Sequence, residues 1–103
     1  MRLVGPTEGR RLNLAYRGKD YATNVLTFAY EAGLGDIVLC PSVIGREARE
    51  QGKSVDAHYA HLTIHAMLHL RGYDHASSRD AARMERAEIR ILKSMGYPNP
   101  YIA

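Results

Sequence analysis

The sequence predicts a small α+β or α/β fold in which a short β-sheet is covered by helices. Residues 25–30 and 36–40 form two short stretches rich in β-branched, aromatic and aliphatic side chains, a composition typical of strands. Most of the remaining chain divides into segments of helical length with recognisable ends. The chain has 103 residues, and we expect residues 1–103 to form a single domain.

The N-terminal part is expected to contribute the strands and the first helix. Residues 2–4 could form a short first strand, and Thr7 is a plausible N-cap for a helix over residues 7–15. Residues 31–35 are expected to turn into the strand at 36–40, which is apolar enough to be buried on both faces.

Local signals also place the next two helices. Proline suits the first turn of a helix, so a helix is predicted over residues 41–51, ending at Gly52. Ser54 can cap a third helix, which should continue to residue 70 or 71 and end at Gly72.

The last helix begins with a capping box. Ser77 is followed three residues later by Asp80, and the pair is typical of a helix N-terminus. Gly96 and Pro98 end the helix. Its apolar face is expected to contain Met84, Ala87, Ile91, Leu92 and Met95.

Four of the five histidines lie in the segment HLTIHAMLHLRGYDH. His61, His65 and His69 recur every four residues and therefore share one face of a helix. Gly72 can end this helix, so that the chain reverses and brings His75 over His65 and His69. Three imidazoles would then surround one metal ion and leave a fourth position for water, as in catalytic zinc sites.

Nitrogen ligands without a nearby thiolate favour zinc, although copper, nickel and iron also bind imidazole. The alternative is that these histidines are ordinary hydrogen-bonded helix residues. The spacing together with the glycine favours the metal site. His58 and His61 are instead interpreted as hydrogen-bonded helix residues. For His61, contact with a metal ligand or with the substrate stays open.

The pattern resembles the metzincin signature HExxHxxGxxH, with Gly72 and His75 in place. Those peptidases carry a glutamate base after the first histidine, whereas this chain has Ala66. Alanine cannot accept a proton, which argues against a metallopeptidase. A bound metal would still lower the pKa of water toward about 7, and a cation such as Arg17 could stabilise the anionic transition state of a phosphodiester.

The net charge of +3 permits a polyanionic partner but does not establish one. An early basic cluster has few acidic neighbours and contains Arg10, Arg11, Arg17 and Lys19. Within it, Arg17 is the candidate phosphate contact, and the alternative is a weak surface ion pair with Asp20. A single cysteine, no signal peptide and no membrane-spanning run lead us to expect a cytoplasmic protein.

The chain resembles the YbeY family of bacterial endoribonucleases. The resemblance rests on the segments GKSVDAHYA and HLTIHAMLHLRGYDH and on the upstream segments LNLAYRGKDYATNVLTFAYE and GDIVLCPSV. It implies a zinc-dependent, single-strand-specific endoribonuclease that acts in ribosomal RNA maturation, especially at the 3′ end of small-subunit rRNA, and in ribosome quality control. It also implies a small mixed sheet with a metal cleft beside the histidine-bearing helix.

By this resemblance, His65, His69 and His75 match the ligands of one zinc ion per chain, and Arg17 matches a functionally important, candidate catalytic arginine. The implied partners are single-stranded or ribosomal RNA, the small ribosomal subunit with one of its proteins, and an assembly GTPase, with no DNA and no membrane. Family members usually begin with a further strand and helix, so we expect part of the sheet to be missing. The alternative hypothesis is a non-catalytic, RNA-binding ribosome-assembly module with structural zinc.

Overall fold

The described strands form one mixed sheet of three strands. They are β1 (Arg2–Leu3), β2 (Val25–Glu31) and β3 (Leu34–Leu39), arranged in the order β1-β3-β2. β1 runs parallel to β3, and β2 runs antiparallel to it. The small mixed sheet is therefore confirmed. The computed structural model describes residues 1–31, 34–74 and 76–101.

The helices are α1 (Pro6–Arg17), α2 (Pro41–Gln51), α3 (Val55–Leu70) and α4 (Ser78–Ser94). Helix α3 packs on β2 and β3 and is flanked by α2 and α4. Among the described residues, no helix combines the length and the hydrophobicity that crossing a bilayer requires.

The core lies on both faces of β3, as its continuous apolar run predicts. Val38 points into a cluster with Leu26 and Cys40, against which Leu12 of α1 packs. Its neighbours Ile37 and Leu39 point to the other face, into a cluster that includes residues of α2 and α3. Helices α1 and α3 therefore cover opposite faces of the sheet.

Several predicted boundaries were wrong by a few residues. Helix α1 begins at Pro6 with Gly5 as N-cap, so Thr7 lies inside the helix. Proline fixes its own backbone at a helix-compatible angle and therefore starts the helix earlier than the hydroxyl predicted. Residues 31, 34 and 35 of the predicted turn belong to strands, because β2 includes Glu31 and β3 begins at Leu34, and residues 32–33 lie outside the described residues.

Gly35 explains how closely the end of α3 approaches the sheet. A Cβ atom at Gly35 would lie 2.6 Å from Leu70 Cδ2 and still closer to the carbonyl oxygen of Phe28. Only a residue without a side chain leaves room for Leu70, the last residue of α3, to rest against β3 at this position. The glycine thereby helps to position the histidine-bearing helix.

Candidate metal centre

Helix α3 begins and ends as the sequence predicts. The Ser54 hydroxyl accepts a hydrogen bond from the Ala57 amide at 3.1 Å, which satisfies a backbone group without an intrahelical partner. After the last turn, Gly72 adopts φ 96°, a backbone conformation that favours glycine. This helix carries His65 and His69 one turn apart, and their ring centroids lie 4.7 Å from each other.

Both rings are held through the same nitrogen. His65 Nδ1 is hydrogen-bonded to Oε1 of Glu88, and His69 Nδ1 lies 3.1 Å from the carbonyl oxygen of Tyr73. A carbonyl or carboxylate oxygen can only accept, so each Nδ1 donates. A neutral imidazole that donates from Nδ1 carries its lone pair on Nε2, the nitrogen with which it can bind a metal. The donor set therefore fits a zinc ion.

The two histidines line a cleft of about 690 Å³ between α3 and β2. Residues 23–30, which include most of β2, an outer strand of the described sheet, form the opposite wall. Arg17 also lines this cleft. The site thus combines two imidazoles with a guanidinium group, a pairing suited to an anionic ligand.

Arg17 does not pair with Asp20 in the part of the chain that the structure describes. Asp20 instead forms two hydrogen bonds with Arg10, at 2.6 and 3.0 Å. Gly18 in the left-handed conformation ends α1, and Tyr21 then accepts a hydrogen bond from Asn13 at 2.7 Å. The chain folds back along α1, which brings Asp20 to an earlier turn of the helix than Arg17.

Ala66 lies between the two histidines and is 1% exposed. Its methyl group packs in the apolar cluster that contains Ile44 and Leu62, between α3 and the sheet. A glutamate side chain would need to replace that packing. The position occupied by the peptidase base is therefore buried in this chain, where Ala66 forms part of the floor between the core and the cleft.

The third predicted ligand, His75, lies outside the described residues. Its convergence with His65 and His69 stays a prediction. Within the described residues, a different group could hold a metal ion: His61, His65 and Glu88, whose ligand atoms lie within 4.8 Å of one another. In that group, however, His65 Nδ1 and Glu88 Oε1 are hydrogen-bonded to each other.

Glu88 is a buried carboxylate that the sequence interpretation missed. It is 0% exposed, and its Oε2 accepts a hydrogen bond from the Tyr101 hydroxyl. Burial alone would raise the pKa of Glu88, but hydrogen bonds from His61, His65 and Tyr101 outweigh it and lower the pKa to about 2. The carboxyl group therefore stays ionised at neutral pH.

A signal for Glu88 was present in the sequence. It lies four residues after Met84 and four before Leu92, in the middle of the apolar face of α4, and both neighbours are 1% exposed. A charged residue at the centre of such a face requires a partner. At the end of the same face, Met95 follows the last helical residue as the C-cap and is 54% exposed.

His58 and His61 are both hydrogen-bonded, as the ordinary interpretation predicts. His58 Nε2 lies 3.0 Å from Glu47 Oε1, and its side chain is 4% exposed. His61 Nε2 lies 3.2 Å from the Tyr101 hydroxyl. His61 thus belongs to the group of side chains around Glu88 that also includes His65 and Tyr101.

Comparison with known proteins links the chain to one family. The family model described as Endoribonuclease YbeY matches residues 1–96. A protein of that name from Aromatoleum aromaticum is 60% identical over 104 residues, which cover 98% of this chain and 68% of the relative. Relatives from Azoarcus sp. and Burkholderia lata are 59% and 57% identical, and this chain spans only 44% and 62% of their lengths.

A solved structure supports the fold. The solution structure of TM1509 from Thermotoga maritima is similar with a TM-score of 0.63 and 28% sequence identity. The similarity covers 98% of this chain and 75% of the Thermotoga protein. The arrangement of sheet and helices is therefore shared over nearly the whole of this chain.

Proposed function

Because this chain belongs to the endoribonuclease YbeY family, we propose that it is a zinc-dependent endoribonuclease that cleaves single-stranded RNA. Residues 1–103 would act as one catalytic domain. The observation that carries the proposal is the pair His65 and His69, which line one cleft with Arg17 and whose rings both donate from Nδ1.

Each residue has a distinct proposed role. His65, His69 and His75 would hold one zinc ion, which supplies Lewis acidity and lowers the pKa of water. Arg17 would bind the scissile phosphate and stabilise the negative charge that develops on it. Alanine at position 66 cannot accept a proton, so we propose that any general base comes from the substrate or from another group in the cleft.

Ribosomal RNA is the substrate that the family resemblance favours, with processing at the 3′ end of small-subunit rRNA. We further propose the small ribosomal subunit with one of its proteins and an assembly GTPase as partners, and a role in ribosome quality control in the cytoplasm. The net charge of +3 is compatible with an RNA ligand.

The direct test is RNA cleavage with and without metal. Purified protein should contain one zinc per chain by elemental analysis and should cleave a single-stranded RNA, and a chelator should stop cleavage until zinc is restored. His69→Ala should lose both zinc and activity. Zinc retention and RNA binding without cleavage at any zinc concentration would instead identify an assembly module with structural zinc.

The role of Arg17 predicts a different pattern. Arg17→Glu should lower the cleavage rate by about 10²-fold, the scale on which loss of one transition-state donor acts, while zinc per chain stays unchanged. Arg10→Glu is the matched control, because Arg10 is bonded to Asp20 outside the cleft lining. If Arg17→Glu loses zinc, or if Arg10→Glu lowers the rate equally, Arg17 does not contact the phosphate.

A further inference from the structure

Glu88 lies at a buried position, where a charged carboxylate raises the free energy of the folded protein unless it is paired. It stands on the apolar face of α4 between Met84 and Leu92, and its side chain has no exposed surface. A buried charge of this kind persists only where donors satisfy its oxygens. The role of Glu88 can therefore be inferred from the groups that donate hydrogen bonds to it.

One of the donors to Glu88 is the candidate metal ligand His65, and the others hold the carboxylate from its second oxygen. Oε1 accepts from Nδ1 of His65, and Oε2 accepts from the Tyr101 hydroxyl. His61 Nε2 lies 3.6 Å from the same Oε2 and 3.2 Å from the Tyr101 hydroxyl. Burial and the neighbouring carboxylate raise the pKa of Tyr101, so its hydroxyl remains a donor. The carboxylate is thus fixed on both sides.

This arrangement determines the state of the His65 ring. With Nδ1 bonded to an anion, the ring cannot rotate without breaking a charge-assisted hydrogen bond. In the neutral ring the lone pair is then confined to Nε2, the nitrogen left for a metal. The matching contact of His69 is weaker, because its Nδ1 donates to the neutral carbonyl oxygen of Tyr73.

We propose that Glu88 is a positioning residue that orients His65 for metal binding, and that Tyr101, after the end of α4, locks Glu88 in place. This inference rests on the proposed zinc site. It differs from direct ligation by Glu88, because its oxygens are bonded to His65 and Tyr101. The C-terminal segment would thereby influence metal affinity without touching the metal.

The test is zinc affinity measured by competition with a chelating dye, alongside thermal unfolding of the metal-free protein. Glu88→Gln keeps the shape but removes the charge, and zinc should bind about tenfold more weakly. Glu88→Ala should lie toward the upper end of the 10–100-fold range typical of residues that support metal ligands. Tyr101→Phe should weaken binding less than either.

Glu47→Gln is the matched control, because Glu47 also pairs with a histidine of α3, the buried His58. It should lower the unfolding temperature of the metal-free protein and leave zinc affinity unchanged. Should Glu88→Ala fail to fold, Glu88→Gln and Tyr101→Phe carry the test. Parent-like zinc affinity in the folded Glu88 and Tyr101 variants would overturn the proposal.

Two further outcomes distinguish the positioning role from direct metal binding by Glu88 and from failure of the proposed zinc site. Loss of zinc in His61→Ala with retention in His69→Ala would show that His61, His65 and Glu88 are themselves the ligands, and the positioning role would be wrong. A parent protein that binds no zinc would overturn the proposed metal-dependent function, and this inference with it. Zinc binding by the parent with unchanged variants overturns the positioning role alone.

Discussion

The hydrogen-bonded contacts of Glu47 with His58 and of Glu88 with His65 join α3 to its neighbouring helices, and they use opposite nitrogens of the imidazole ring. Glu47 of α2 contacts His58 through Nε2 at 3.0 Å. Glu88 of α4 contacts His65 through Nδ1. The contact at Nε2 leaves His58 only Nδ1, which is buried, whereas the contact at Nδ1 leaves His65 with Nε2.

The solvent exposure of the two histidine side chains also distinguishes His58 from His65. The His58 side chain is 4% exposed and its Nδ1 has no partner among the described residues, whereas the His65 side chain is 30% exposed and borders the cleft. Because His58 is buried away from the cleft lining, we assign its contact with Glu47 to packing between α2 and α3. A carboxylate beside a histidine is compatible with a metal site when it takes one ring nitrogen and the other nitrogen meets a cavity, as at His65.

The largest expected difference is between the two histidines themselves. His65→Ala should lose zinc and lower RNA cleavage by well over the ~100-fold typical of losing a supporting residue. His58→Ala should keep zinc and activity but lower the unfolding free energy by about 1–3 kcal/mol, because Glu47 loses a partner. Elemental analysis, cleavage rates and urea unfolding measure these effects. Equal zinc loss in both variants would contradict the distinction.

Acid should weaken the Glu88 pair in a defined pH range. The folded-state pKa of about 2 lies below the ordinary value of 4.5, so the pair stabilises the fold above that value and loses its effect as pH falls toward 2. The shift corresponds to about 3 kcal/mol at most. In metal-free protein, the difference in unfolding free energy between the parent and Glu88→Gln should narrow from pH 5 to pH 3.

Urea unfolding at several pH values tests this narrowing. A difference between the parent and Glu88→Gln that stays constant from pH 5 to pH 3 would mean that the carboxylate is not stabilised by its donors. Glu47→Gln serves as the comparison, since it removes a carboxylate that lies outside the His65 network.

The ends of α2 and α3 could be predicted from the sequence because their signals are local. Pro41 begins α2, Gly52 ends it in the left-handed conformation, and the Ser54 hydroxyl caps α3. Each of these residues acts on backbone groups within a few positions of itself. The histidine spacing is local in the same sense, since His65 and His69 lie one turn apart on a single helix.

The Glu88 network could not be predicted in this way. Glu88 meets His65 from a different helix, 23 residues away in sequence, and Tyr101 comes from the segment beyond that helix. Periodicity identifies the buried face of α4 but does not say which residue of α3 lies opposite. The Arg10–Asp20 pair was missed for a similar reason, because it depends on the reversal at Gly18.

The smallest expected effect concerns how the C-terminal half of α3, which borders the cleft, is held against the sheet. Gly35→Ala should lower the unfolding free energy by about 1–3 kcal/mol, since its Cβ would overlap Leu70 and the Phe28 carbonyl oxygen. Gly45→Ala, inside α2 with ordinary contacts, should instead raise it by about 0.5–1 kcal/mol. Urea unfolding distinguishes the two. If Gly35→Ala is as stable as the parent, α3 can shift on β3, and the close contact does not fix the histidine-bearing helix.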